Sequence, residues 1–212
     1  MKRFGKSFTQ QEPIPEDGIE AAVAVMRSGR LHRYNVEGDE AGEAAALEAE
    51  FAAYLGVSYC LACASGGYAL QIALRAVGVK PGDAVLCNGF TLAPVPGALH
   101  NVGALPVWVE TTEQLSIDLE HLDSQAAASG ARYLMLSHMR GHMPDMEQLM
   151  AICDQHGIGV IEDCAHTMGA AWNGRRSGTF GHVGCFSTQT YKHINSGEGG
   201  LLVSADEAVM AR

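Results

Sequence analysis

The sequence lacks any apolar, uncharged stretch of about 18 residues, the length a bilayer-crossing helix needs. Its basic amino-terminus, MKRFGKSFTQQEPIPEDG, is not followed by the apolar core of a secretory signal. Neither a membrane span nor standard export is expected, and the cytoplasm is the expected compartment. Positive charge is also scarce: 14 Lys and Arg against 24 Asp and Glu give a formal net charge of −10. That sign repels phosphate backbones and anionic lipid surfaces, so nucleic acid and membranes are poor partners. Charged residues of both signs make up 18% of the chain, below the usual share of about 25%, while hydrophobic residues reach 47%. Disorder and a long solvated helix are both excluded by that balance. Two phosphate-binding signatures are missing as well, since neither G-x-x-x-x-G-K-S/T nor G-x-G-x-x-G occurs.

Six cysteines are present, at 60, 63, 87, 153, 164 and 185, in apolar runs rather than in a short secreted frame, which fits reduced thiols. Cys60 and Cys63 form a C-x-x-C, yet no second pair follows at zinc-finger spacing, and no metal site is expected. Glycine is in excess, 25 of 212 residues or about 12% against about 7%. Such a surplus points to tight turns and to places where backbone must approach something closely. A chain of 212 residues is long enough for a full core, burying roughly 70% of its unfolded surface.

Residues 1–17 are polar, carry two prolines and read as an extended arm. Ile19, Ala22, Val23 and Met26 recur at helical spacing up to Ser28-Gly29, and a second helical run spans Glu43 to Leu55. Short apolar runs without alternation follow at Tyr59–Ala64, Ala84–Cys87, Leu105–Val109, Arg132–Ser137 and Ile158–Glu162, as expected of strands covered on both faces. Helical stretches separate them at Gly67–Val77, Ala93–Asn101, Leu119–Ser129 and Met146–His156. Alternation of this kind predicts right-handed βαβ units and a mainly parallel sheet, a three-layer α/β/α sandwich. Shorter strands are expected at Ala170–Trp172, Cys185–Thr188 and Leu201–Val203. The last helix, ADEAVMAR, stops almost as it starts, so the chain reads as truncated.

Ligands of open α/β sheets sit at the carboxyl ends of the strands. Five such places stand out. At Ser65-Gly66-Gly67-Tyr68 a strand breaks into a small-residue turn that opens a helix, either an anion seat or an ordinary βα turn. At Ile161-Glu162-Asp163 an apolar strand meets two carboxylates, able to hold a protonated ring nitrogen, ligate a metal or cap a helix. In the segment Cys185 to His193, Lys192 is the first lysine since Lys80 and lies among hydroxyl residues before Gly197-Glu198-Gly199-Gly200. It is either a solvated surface residue or an amine held from water, whose lowered pKa makes it nucleophilic. His138 and Arg140 follow the fourth run, in a pocket or in the core. Phe90 follows the second, stacking on a planar ligand or packing inside. A phosphate seat, a strand-end Asp and a downstream Lys together meet the three needs of pyridoxal phosphate: an anchor, a protonated pyridine and an imine-forming amine.

With these residues the sequence resembles the DegT/StrS-type aminotransferases, pyridoxal phosphate enzymes of the aspartate aminotransferase (fold type I) class. The resemblance runs from about residue 18 to the end, through ASGGYALQIALRAVGVKPGDAVL, GALPVWVE, IGVIEDCAHTMGA, GRRSGTFG and CFSTQTYKHINSGEGGLLVS. It implies that Lys192 forms the Schiff base, Asp163 partners the pyridine nitrogen, Ser187 binds phosphate and Gly66 and Gly67 lie in the phosphate turn. His166 falls where the family usually has Gln near the ring. The lysine sets the chain apart from the family's sugar dehydratases, which carry His there. Two departures are visible: the usual S-G-T-A-A-L turn has Gly67 in place of Thr, and Leu92 stands at the usual ring-stacking aromatic, with Phe90 as a substitute. The resemblance further implies a homodimer that transfers an amino group from an amino acid to a keto group, mostly of nucleotide-linked keto-sugars. On this reading 18–212 is the cofactor-binding large domain, incomplete at its carboxyl end, and the small domain is absent. A scaffold derived from the fold, or another pyridoxal phosphate reaction at the same site, stays open.

Overall fold

The computed structural model describes residues 5, 13–34, 36, 38 and 41–212. Most of the expected amino-terminal arm lies outside the described residues; residues 13–15 are exposed, and the first helix begins inside the arm's expected bounds. The elements run α1 (Glu16–Ser28), α2 (Glu43–Leu55), β1 (Tyr59–Cys63), α3 (Gly66–Val77), β2 (Ala84–Asn88), α4 (Pro94–Asn101), β3 (Leu105–Val109), α5 (Leu119–Ser129) and β4 (Tyr133–Ser137). A short 3₁₀ turn, Met139–Gly141, leads into α6 (Met146–His156), then β5 (Gly159–Asp163), β6 (Ala171–Trp172), β7 (Arg175–Arg176), β8 (Val183–Ser187), β9 (Gly200–Ser204) and α7 (Glu207–Met210).

Seven strands form one sheet in the order β1-β9-β8-β5-β4-β2-β3. The steps from β8 to β3 are parallel, and β9 runs antiparallel to both of its neighbours. Alternate residues of the inner strands serve opposite layers, which is why they read as unbroken apolar runs. Val85, Cys87, Met135, Ile161 and Val183 face α3 and α4, while Leu86, Leu134, Leu136 and Val160 face α5 and α6. On that second face α2 adds Phe51 and Leu55, which cover Phe186, Leu201 and Val203. The result is the expected three-layer sandwich.

Coverage on both faces does not extend to the edges of the sheet. In β3 Leu105 is 59% and Trp108 47% exposed, and β1 is only half-buried along its length. Strand order, which a single sequence does not display, puts these two at the margins. A hairpin, β6–β7, adds one strand the apolar pattern does not reveal. It turns at Asn173-Gly174 with both residues at positive φ, the dipeptide favoured in tight hairpins.

Helix starts carry their own signals. Ser65, Asp118 and Asp145 each accept a hydrogen bond from the amide three residues on, capping α3, α5 and α6. Within the described residues no helix is long and apolar enough to cross a membrane.

Candidate active site

The parallel strands end together, and each of four ends on a polar residue: Asn88 on β2, Ser137 on β4, Asp163 on β5 and Ser187 on β8. Asp163 thus occupies the last strand position rather than the loop after it. The Asn88 amide bridges two strand ends, accepting from the Ser137 amide at 2.8 Å and donating to the carbonyls of Ser137 (3.0 Å) and Phe90 (3.2 Å). Ser137, so fixed, donates its hydroxyl to Asp163 Oδ2 at 2.9 Å, and the Ala165 amide donates to Oδ1 at 3.1 Å. A carboxylate has about four acceptor positions, so Asp163 keeps room for a further donor.

Beside it lies a small cleft of about 70 Å³. Gly66, Gly67, Leu92, Met139, Asp163, Ala165, His166, Ser187 and Lys192 all contribute to its lining. Six of the seven residues that the family resemblance puts at the cofactor therefore line one cleft. Phe90 does not: Leu92 lines the cleft instead, while Phe90 is held at the strand end by Asn88 and by Thr111 Oγ1, which accepts from its amide at 3.3 Å.

The start of α3 packs very closely against two strands. A Cβ on Gly66 would lie 2.8 Å from Ser187 Cβ, and one on Gly200 would lie 2.4 Å from the Ser65 carbonyl carbon, so neither position admits a side chain. That approach brings the helix's free amides and its positive dipole end beside the Ser187 hydroxyl.

Lys192 sits on the turn after β8, where its amide donates to the Gln189 carbonyl at 2.8 Å. Its Nζ lies 2.9 Å from His166 Nε2, and His166 Nδ1 accepts from the Arg140 amide at 3.1 Å. Burial lowers the pKa of Lys192; Asp163 works against that shift and Arg140 adds to it. His166 is lowered too, by burial first and then by Lys192, with Arg140 and His193 adding and Asp163 opposing.

The other candidates lie elsewhere. His138 is fully buried, with Nε2 3.1 Å from Glu162 Oε2, and belongs to the core rather than the cleft. Cys60 packs with the α2 layer and Cys63 with the α3 layer, so the two thiols of the C-x-x-C face opposite sides of β1. Burial, and after it the charge of Glu48, pushes them up to about 12 and about 11, a state poor in the thiolate that metal and redox chemistry need. Sequence reasoning overlooks Asn88 and the part Ser137 plays through its hydroxyl. A polar residue closing an apolar strand is the signal that marks both.

A mainly parallel sheet between helical layers is the architecture of the fold type I aminotransferases, and solved structures bear this out. The chain belongs to the DegT/DnrJ/EryC1/StrS aminotransferase family, whose model matches residues 14–212. It is 36% identical over 206 residues to the UDP-N-acetyl-3-dehydro-alpha-D-glucosamine 3-aminotransferase of Acidithiobacillus ferrooxidans, covering 94% of this chain and 56% of that one. An aminotransferase from Psychrobacter cryohalolentis superposes with a TM-score of 0.87 at 29% identity, over 96% of this chain and 50% of its own. The S. venezuelae protein DesV, solved in complex with a ketimine intermediate, gives a TM-score of 0.80 at 35% identity, over 92% and 52%. The chain spans about half the length of the curated relatives it matches.

Proposed function

We propose that residues 18–212 form the pyridoxal-phosphate-binding domain of an aminotransferase that moves an amino group from an amino acid to the keto group of a nucleotide-linked keto-sugar. The observation that carries this reading is the convergence of Lys192, Asp163, Ser187 and Gly66–Gly67 on one cleft. These residues fit the cofactor. The amides at the start of α3 and the Ser187 hydroxyl suit a phosphate, and Asp163 has acceptor capacity left for a protonated ring nitrogen. A half-buried lysine with lowered pKa suits attachment of an aldehyde. When bound, pyridoxal phosphate supplies an electron sink for charge developing at the amino carbon.

Each side chain then has a task. Ser187 and the backbone of Gly66 and Gly67 hold the anion, the last without the hydroxyl that the family's Thr would offer. Asp163 keeps the ring nitrogen protonated. Lys192 would hold the cofactor's aldehyde through its amine and, when free of it, would move a proton as a general base. His166 lies within reach of that amine. Leu92 offers an apolar wall where an aromatic ring is usual.

Two further assignments rest on less. A homodimer is supported by exposed Tyr68, Leu92 and Tyr191, each lining the cleft or adjoining a residue that does. Large apolar side chains at a cleft mouth suit coverage by a second subunit. A cytoplasmic setting is supported by six free thiols. The acceptor is inferred from the relatives, one of which acts on a UDP-linked keto-sugar by its name.

The test is an absorption spectrum of the purified chain with pyridoxal phosphate, before and after borohydride, followed by peptide mapping. A near-visible band and a reduced adduct on Lys192 are expected, both absent in Lys192→Ala. A chain that gives no adduct is a scaffold built on this fold, and the enzyme reading is withdrawn. Light scattering that finds only monomer, with and without cofactor, removes the dimer.

A further inference from the structure

The contact between His166 and Lys192 has a directional consequence that no family likeness supplies. The Arg140 amide can only donate, and it meets His166 Nδ1 at 3.1 Å, so that nitrogen carries no proton. A neutral imidazole must then carry its proton on Nε2, the atom 2.9 Å from Lys192 Nζ. An ammonium has three donors and no acceptor. Two donors cannot share one hydrogen bond, so Nζ has to accept, which only an uncharged amine can do. The alternative, an ammonium donating to Nε2, requires either an imidazolate or a proton on Nδ1 pointed at the Arg140 N–H.

The orienting amide is itself held under strain. Arg140 has φ 57° and ψ 19°, the left-handed region that non-glycine residues rarely occupy. The turn is fixed on both sides, by the Gly141 amide donating to the His138 carbonyl and the His142 amide donating to the Met139 carbonyl. The groups facing the pair are Asp163 from β5, which favours positive charge on either member, Arg140 from the turn, which opposes it on both, and His193, which opposes it on His166.

We infer that His166, locked as its Nε2–H tautomer by the Arg140 amide, keeps Lys192 as the uncharged amine in the cofactor-free protein. His166 is then a positioning residue that sets the lysine's proton state before any aldehyde arrives. The inference deepens the role proposed for Lys192 and rests on that reading only for its purpose, because its test involves no cofactor.

The test is trace acetylation of the cofactor-free chain with acetic anhydride across a pH series, read by peptide mass spectrometry with exposed Lys80 as internal reference. In each event Nζ forms an amide bond to the acetyl carbon, acetate leaves and the amine's surplus proton passes to solvent. Lys192 should already have reached its maximal rate near neutral pH, where the rate of Lys80 is still climbing about tenfold per pH unit. In His166→Phe, and in His166→Asn, whose amide oxygen can still take the Arg140 N–H but which lacks the second nitrogen, the midpoint should rise most of the way to that of Lys80. A wild-type Lys192 that titrates with Lys80 overturns the inference, and so does a midpoint left in place by the variant that folds. Failure of the cofactor reading shows separately, as a missing borohydride adduct on a lysine whose midpoint is still low.

Discussion

Two neighbouring carboxylates at the end of β5 face opposite layers of the sheet and have opposite fates. Glu162 points toward the α5 and α6 side and is completely buried, and each of its oxygens accepts two hydrogen bonds. Oε2 takes His138 Nε2 at 3.1 Å and the Gly178 amide at 2.9 Å; Oε1 takes the amides of Phe180 at 2.7 Å and Gly181 at 2.8 Å. Asp163 points toward α3 and the cleft with two donors and capacity to spare. The same functional group is a fastener on one side and a binding group on the other. What separates them is not burial as such but how many acceptor positions the fold has already used.

The saturation of Glu162 also settles a nearby cluster. His138, Glu162 and Cys164 bring three potential ligand atoms within 4.8 Å of one another. With four N–H donors on the carboxylate, that glutamate has no lone pair left to offer a cation. The group ties the turn at 178–181 to β5 instead, and so holds β8, which carries Ser187, alongside Asp163.

The comparison can be broken most decisively at Glu162. Replacement by Ala strands the amides of Gly178, Phe180 and Gly181 and the buried His138, a loss of about 3–5 kcal/mol out of the roughly 5–15 kcal/mol that holds an ordinary domain together. Urea unfolding should show it, and a loss under about 1 kcal/mol would mean the fastener is dispensable. Acid should act on the same group. Burial raises the pKa of Glu162, but the hydrogen bond and charge of His138 and the amides of Gly181 and Gly178 outweigh it, so the value is lowered from the ordinary 4.5. A depressed folded pKa gives stability that is present above 4.5 and lost as pH falls below it. Glu162→Gln should therefore flatten the fall of denaturation midpoint with pH in that acid range.

Asp163→Asn should do the reverse, leaving unfolding stability within about 1 kcal/mol while weakening pyridoxal phosphate, titrated by absorbance, by roughly ten- to a hundredfold, the worth of a hydrogen bond to a charged group. Equal effects on folding from both variants would erase the distinction between the two faces. The smallest effect belongs to Ser137→Ala, which removes one donor from Asp163 at about 0.5–1.5 kcal/mol. It sharpens the comparison if cofactor affinity falls more than stability does.

These cases also show what a sequence discloses. Lys192 was conspicuous by its isolation and Asp163 by its place after an apolar run, and the Ser65-Gly66 turn followed from residue size alone. The choice of Asp163 over Glu162 comes from the family resemblance and not from the local pattern, because the partners of Glu162 arrive from a turn some 16 to 19 positions on and meet it only once β8 is laid beside β5. Phe90 illustrates a limit of another kind: an aromatic two residues from the expected position has the right chemistry but is tied down by Asn88, itself an unremarked residue. The exposure of β3 depends on strand order, which is decided by long-range pairing rather than by local pattern.

Strand order carries one more consequence, for the order of events in the making of this molecule. β1 touches the sheet through β9 alone, from Tyr59 opposite Ser204 to Cys63 opposite Gly200. A ribosome therefore has to deliver the chain as far as Ser204 before the strand ending at Cys63 can be zipped into place. Closing so long a loop is slow, since its entropy is lost before any contact repays it. β1 can join the sheet only after β9 has formed beside β8, whereas α3 already has its apolar face against the inner strands.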